Sequence, residues 1–403
     1  MTSLSDSDGD AIARFRAALL ADESLQRDLA PIVEPEAFAT RAIAQAAALG
    51  IALTPDAFTP PFRTDPLGLD RLHTAPLALD TAPPRHWLPT DIVDRPTGPT
   101  IEWLHFAGAP LIHPFYQDSL QRARALPFNR LMRIATPLSA LDAFADAPPP
   151  DGFIFHMSRC GSTLVAQMLA GVPGHIVVSE PPPLDTIIQL AGRGMVPPAT
   201  IRTMIAALTR ARPTTIDGAT RRRFIKLDAW HSLALPMLRT LYPDVPWIFL
   251  YRDPVEVLVS QARMPGVHAV PGMVPLDAFG VKPDPSIDHS DYAAWLLDLI
   301  CKAALDGMGR GAPGQSGGML VNYRQLPEAM DDLVLPHFGI MLDEPERAAM
   351  ATASAKNSKA PDTGFVTDSA AKRREADPAI RAIADRHLAT TYGRLEAART
   401  GRG

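Results

Sequence analysis

DGFIFHMSRCGST, residues 151–163, is the stretch from which the rest of the chain is read. Gly152 to His156 carry an apolar run without helical period, which predicts a short buried strand. SRCGST then supplies a turn of small residues, and LVAQMLAG predicts a helix closing at Gly171. Strand, tight turn and helix aim backbone N–H groups and the positive end of a helix dipole at one point, the geometry that holds an anion. Gly161 lets the backbone approach a ligand, Ser162 and Thr163 add hydroxyl donors, and Arg159 adds a fixed positive charge with a fork of donors. The stretch predicts a site for phosphate or another tetrahedral anion.

It is not the nucleoside-triphosphatase loop. The pattern G-x-x-x-x-G-K-[ST] needs glycine where this chain has His156 and lysine where it has Ser162. A second stretch, VPWIFLYRDPVEVLVSQ (245–261), is an apolar strand running directly into a helix. Pro254 suits the first helical position and Asp253 the cap before it. Arg252 therefore stands at the carboxyl end of a strand, where open α/β sheets bind ligands. Ser260 follows eight positions later. The plainer alternative for Arg252 is an ion pair with a core carboxylate.

The two stretches resemble the 5′-phosphosulfate loop and the 3′-phosphate motif of sulfotransferases. That resemblance implies an α/β fold with a P-loop-like parallel sheet flanked by helices. It implies 3′-phosphoadenosine 5′-phosphosulfate (PAPS) as co-substrate, without a metal, and a hydroxyl or amine acceptor. Donor contacts are expected from Arg159, Cys160, Gly161, Ser162, Thr163, Arg252 and Ser260. Cys160 occupies a position that is a small residue in the family, so it is expected to be structural rather than nucleophilic. Tyr323, in VNYRQLP, resembles the family's Y-E-D-L element near the adenine, with Arg324 and Gln325 replacing the acidic pair; a core tyrosine is the other reading.

Sulfuryl transfer needs the leaving phosphate neutralised, donor and acceptor held in line, and a proton taken from the acceptor. Arg159 is the first cation for this task, and Lys226, at the end of the strand RRFIKLD (222–228), is the second. Cytosolic members end the corresponding strand in K-x-H with the histidine as base; here the pair is Lys226 and Asp228, which leaves the identity of the base open. Glu180 is the preferred base, 21 positions after Arg159 in VVSEPPPLD, as in protein-tyrosine sulfotransferases. Asp228 ranks second and His231 third. The prolines after Glu180 are expected to exclude helix. Lys356 and Lys359 are candidates for closing over the 3′-phosphate. Histidines are scattered, with no C-x-x-C, so no metal set is expected.

The other elements follow the same periodicities. Strands are expected at 175–179, 222–228, 247–251 and from 318, with helices between them, the last two helical stretches being 291–305 and DPAIRAIADRHLATTYGRLEAAR near the end. SLALPMLRTLY is expected to be a helix interrupted at Pro236. Residues 1–59 form a small all-α unit. Its Phe15, Leu19, Asp22, Leu25, Leu29, Ala46, Gly50, Thr54, Asp56 and Phe58 resemble the leader-peptide domain of the nitrogen-fixation/nitrile-hydratase type, which implies a possible peptide-biosynthesis partner through residues 10–59. Residues 60–150 read as a proline-rich connector with an accessory hairpin around Gly108-Ala109-Pro110, and 151–403 as the catalytic domain. Trp87, Trp103, Phe106, Phe115 and Tyr116 are either the core of that layer or the lining of an acceptor pocket.

The chain of 403 residues carries a net charge of −5, and its 46% hydrophobic and 21% charged composition is that of a globular protein. Nothing favours nucleic acid. Two cysteines exclude a disulfide framework. No apolar run suits a membrane span, and the polar start resembles no signal peptide, so a cytoplasmic enzyme is expected. Two other readings remain at this point: a nucleotide or small-molecule kinase on a related loop, and a degenerate domain that binds nucleotide or peptide without turnover.

Overall fold

The computed structural model describes residues 6–58, 75–96, 98–210, 221–283, 286–309, 317–354, 356–357, 360–364 and 369–401. It divides into two compact units, one of Met1–Pro110, Gln117–Ala143 and Arg210–Thr214, the other of Leu111–Tyr116, Phe144–Thr209 and Thr215–Gly403.

The first unit opens with helices α1 (Asp6–Ala21), α2 (Glu23–Leu29) and α3 (Pro35–Ala48). Asp22 caps α2, its side chain accepting from the N–H groups of Ser24 and Leu25 at 2.7 and 3.3 Å. Phe15, Leu19, Leu29, Phe38 and Ala46 are fully buried, so most of the apolar pattern read along these helices is spent on core packing. Strands β1 (Leu77–Ala78), β2 (Trp87–Arg95), β3 (Gly98–His105) and β4 (Ile134–Pro137) form a sheet in the order β1-β4-β3-β2. Helices α4 (Tyr116–Ala125) and α5 (Pro127–Leu131) lie between β3 and β4 in the chain.

Two expectations fail here. Part of the expected connector is strand β2, and the hairpin turns between Arg95 and Gly98 rather than at Gly108-Ala109-Pro110. Pro89 is tolerated inside β2 because this is an edge strand whose register shifts between Pro89 and Asp91. Trp87, Trp103, Phe106 and Tyr116 are buried, so they are core.

Gln26 ties the helices to this sheet. Its amide donates to the carbonyls of Leu19 and Leu20 at the end of α1, at 2.8 and 3.3 Å. Its oxygen accepts from the indole N–H of Trp87 at 3.1 Å. Both residues are almost wholly buried.

The second unit is built on β5 (Gly152–His156), β6 (His175–Ser179), β7 (Arg222–Lys226), β8 (Trp247–Tyr251) and β9 (Gly318–Asn322), a parallel sheet in the order β6-β7-β5-β8-β9. β5 and β8 are buried at every position, as expected of parallel strands covered on both faces. The connecting helices are α6 (Ser162–Ala170), α7 (Pro182–Gly192), α8 (Ala199–Leu208), α9 (Leu235–Leu241), α10 (Pro254–Arg263) and α11 (His289–Gly309). The short α12 (Leu335–His337), then α13 (Glu344–Ser354), α14 (Ser369–Glu375), α15 (Pro378–His387) and α16 (Ala389–Arg399) follow β9. The fold is α/β, a parallel sheet flanked by helices.

Prolines account for two further corrections. Those after Glu180 do not exclude helix: Pro182 and Pro183 occupy the first turn of α7, where a missing N–H costs nothing. Pro236 likewise opens α9 instead of interrupting it. The C-terminal helix is two helices, broken at Leu388. Among the described residues no helix is long and apolar enough to cross a membrane.

Replacing Gln26 with leucine leaves the Trp87 N–H and two helix-terminal carbonyls buried without partners. Urea unfolding of the variant is expected to show a loss on the order of 1–3 kcal/mol; unchanged stability would deny Gln26 this role.

Candidate functional site

In a parallel sheet the carboxyl ends of the strands converge on one edge. Register places His156, Ser179, Lys226, Tyr251 and Asn322 along that edge of β5, β6, β7, β8 and β9. The residues that follow the strand ends are the candidates: the loop 157–161, Glu180, Asp228, Arg252 and Tyr323.

The loop after β5 is tightly coiled. Ser158, Arg159 and Gly161 have φ of 80°, 52° and 85°. Two of these are not glycine, and left-handed backbone at such residues costs energy that surrounding contacts must meet. The contacts are visible. The Ser158 N–H donates to His156 Nδ1 at 3.1 Å, and Met157 N–H and the Cys160 thiol both donate to the Leu250 carbonyl, at 3.0 and 3.2 Å. Arg159 donates to the Met264 carbonyl at 2.6 Å. Cys160 is fully buried, and burial pushes its thiol up to about 11, so it is no nucleophile at neutral pH.

Gly161 occupies the cap position of α6, whose first turn has no side-chain cap. The N-terminus of α10, by contrast, is capped by the Asp253 carboxylate, which accepts from Val255 and Glu256 N–H at 3.0 and 3.3 Å. Between the two helices, α6 is the one whose first-turn N–H groups lack an internal anion. A Cβ on Gly161 would stand 2.8 Å from Leu326 Cδ1 and 2.9 Å from Tyr323 Cδ2. The glycine is therefore demanded by packing as well as by φ.

Glu180 stands just beyond β6 with φ of 51°. Its N–H donates to the Lys226 carbonyl at 2.8 Å, and its carboxylate pairs with the Lys226 ammonium. Lys226 is fully buried, with its Nζ also 5.2 Å from the centre of the Phe115 ring. His156 Nε2 lies 3.2 Å from Glu180 Oε1. Burial alone would raise the Glu180 carboxyl; Lys226 and then His156 outweigh it and hold it well below the usual carboxylate range. His156 is pushed down by burial and by Lys226.

Asp228 behaves in the opposite way. Burial and the nearby Glu180 charge push its carboxyl up to about 8. The Asp228 N–H donates to His231 Nδ1 at 3.2 Å, and His231 Nε2 meets Asp185 Oδ1 at 2.8 Å. Asp185 also accepts from Trp230 Nε1 at 2.9 Å and Gln189 Nε2 at 2.7 Å. Asp185, Asp228 and His231 present three potential metal-ligand atoms within 4.8 Å of one another. Both ring nitrogens of His231 and the Asp185 oxygens take part in hydrogen bonds, which tie the cluster together beside the end of β7.

Arg252 is buried, and its Nε donates to Glu256 Oε2 at 2.6 Å. The ion pair with a core carboxylate is thus real, but it does not exhaust the residue. The guanidinium lies 3.9 Å from the centre of the Tyr323 ring, and Tyr323 in turn covers Gly161. The two motifs read from the sequence are joined through that ring. Ser260 is on α10, two turns into the helix that Arg252 precedes. Arg373 of α14 also reaches Glu256, at 2.8 Å. Lys359 and the side chain of Lys356 lie outside the described residues.

Sequence reading missed His156, Asp185, Trp230, Glu256 and Arg373. Glu256 was findable, four positions after Arg252 on a helix start. A cavity of about 570 Å³ beside Trp247 and Gly318 lies at the opposite, amino end of the sheet and contains none of the candidates.

No protein-family profile matches the chain, and no curated protein matches it. Among solved structures, a sulfotransferase domain from the curacin biosynthetic pathway aligns at TM-score 0.36 and 14% identity, covering 59% of this chain and 97% of its own. A sulfotransferase from Mycobacterium avium aligns at 0.37 and 14%, covering 62% and 79%. One from Alicyclobacillus acidocaldarius aligns at 0.36 and 14%, covering 63% and 97%.

A raised carboxyl contributes stability at low pH that is lost as pH rises through its folded value. For Asp228 the window runs from about pH 4, the unfolded value, to about 8. Thermal melts across that range should show the native protein losing ground to Asp228→Asn as pH rises. Parallel pH profiles would contradict the raised carboxyl.

Proposed function

We propose that the chain is a sulfotransferase that moves a sulfuryl group from PAPS to a hydroxyl or amine acceptor. The observation that carries this reading is the juxtaposition at the carboxyl edge of the sheet: an uncapped α6 behind the left-handed loop 158–161, with the Glu180–Lys226 pair next to it.

In this reading the 5′-phosphosulfate lies against the N–H groups opening α6, with the hydroxyls of Ser162 and Thr163 and the guanidinium of Arg159, which exchanges the Met264 carbonyl for the donor. Arg252 and Ser260 take the 3′-phosphate, and Tyr323 lies next to the adenine. The acceptor oxygen forms a bond to sulfur as the bond from sulfur to the bridging phosphate oxygen breaks, and the electron pair of that bond stays on the departing phosphate. Sulfuryl transfer, like phosphoryl transfer, passes through a loose, in-line transition state, so positioning and charge supply most of the catalysis.

The proton of the acceptor goes to Glu180. A base has to arrive unprotonated, and Glu180 is held ionised by Lys226 and His156. Asp228, raised to about 8, arrives protonated at neutral pH and is better suited to hold a hydrogen bond than to take a proton. Two carboxylates pushed apart by their surroundings divide such roles. Lys226 keeps charge beside the leaving group. A kinase reading has no comparable support, because the lysine that would follow Gly161 is Ser162.

The test is turnover with PAPS, read as release of adenosine 3′,5′-bisphosphate. Glu180→Gln is expected to lower kcat by about 10²–10⁴ with bisphosphate affinity retained. Arg252→Ala is expected to weaken the bisphosphate about ten- to a hundredfold, the value of a charge-assisted phosphate contact. Near-normal turnover in the first variant would remove Glu180 as base; unchanged affinity in the second would remove the 3′-phosphate assignment.

A further inference from the structure

Nine large hydrophobic side chains are strongly exposed among the described residues, and four of them fall in the ten positions 264–273. They are Met264 at 66%, Val267 at 50%, Val270 at 42% and Met273 at 58%. Their spacing is every third residue, through a short 3₁₀ turn at Val267–Ala269. Scattered exposed hydrophobic residues need no explanation, but a concentration of this kind marks a binding surface. Two of the four are methionines, whose flexible thioethers suit surfaces that accommodate varied apolar ligands.

The strip is fixed to the candidate site. Its first carbonyl, that of Met264, accepts from Arg159 at 2.6 Å. The Gln261 amide donates to the Ser158 hydroxyl at 3.1 Å and meets His268 Nε2 at 3.0 Å, while its oxygen accepts from Gly266 N–H at 2.7 Å. One side chain thus joins the left-handed loop to both the start and the middle of the strip. On the inner side, the rings of His268 and Trp230 are 6.2 Å apart, and Trp230 belongs to the hydrogen-bonded group beside the end of β7. The apolar surface therefore begins at the cation assigned to the leaving group and borders the residues around Glu180.

We infer that the acceptor is an amphiphile, a hydroxyl carried on an apolar ring or chain, whose body lies along Met264, Val267, Val270 and Met273 while its oxygen reaches Glu180. This rests on the sulfuryl-transfer reading. A sugar or another wholly polar acceptor would leave these four side chains in water and gain nothing from them.

The probes are 4-n-alkylphenols of increasing chain length, titrated into the full chain saturated with adenosine 3′,5′-bisphosphate. Affinity is expected to rise about tenfold from 4-ethylphenol to 4-n-butylphenol, for two further buried methylenes. In the Val267→Ser/Val270→Ser double variant, whose changes are at exposed positions, the gain should fall to about twofold. Equal affinity along the series overturns the inference, and so does the same gain in the variant. Adsorption to neutral phosphatidylcholine vesicles, or a dimer that dissociates in the variant, also overturns it by giving the strip another occupant. Titrating the bisphosphate alone separates the two claims: if it does not bind, the nucleotide reading fails independently of the strip.

Discussion

A fully buried lysine at the end of a central strand sets the arrangement of everything around it. Lys226 is fully buried, and an ammonium in that position is tolerable only with a partner. Glu180 is that partner twice over, through its carboxylate and through its N–H to the Lys226 carbonyl. Removing the Glu180 side chain leaves the buried Lys226 ammonium without its carboxylate, a loss on the order of 3–5 kcal/mol. The left-handed backbone at Glu180 is the conformational cost of making both contacts from one residue.

That pair then determines the protonation of its neighbours. The ammonium keeps Glu180 ionised and helps keep His156 neutral. The Glu180 charge in turn helps burial to keep Asp228 protonated. On the other side of β5 a second cation, the guanidinium of Arg252, is held between Glu256 and the Tyr323 ring. The tyrosine closes against Gly161, so the loop after β5 is flanked by one ordered cation system on each side. Between them, the first turn of α6 is left without a cap of its own. Uncapped helix N-termini are favourable positions for anions.

The central strands were legible because parallel strands covered on both faces read as unbroken apolar runs. The strand-turn-helix around Gly161 was legible because its residue types have few other uses. Apart from Glu256, a near neighbour of Arg252 in sequence, much of what was not legible depended on contacts between distant residues. Asp185 and His231 are 46 positions apart and meet only because α7 and the turn after β7 start from neighbouring strand ends. Arg373 reaches Glu256 from a helix over a hundred positions later in the chain. Prolines misled for helix and strand alike. Pro182, Pro183 and Pro236 read as breakers but sit in helical first turns, and Pro89 read as connector but lies in an edge strand beside a register shift. A proline excludes an element only where its missing N–H is needed, and sequence alone does not say where that is.

The most direct measurement is a calorimetric titration of the native chain with adenosine 3′,5′-bisphosphate, with ATP·Mg²⁺ run in parallel. The account predicts micromolar binding of the bisphosphate and much weaker binding of ATP·Mg²⁺, because the loop, Arg252 and Ser260 are read as fitting two separate phosphates and no lysine follows Gly161. Tight binding of ATP·Mg²⁺ with none of the bisphosphate would contradict it and assign the carboxyl edge of the sheet to phosphoryl chemistry.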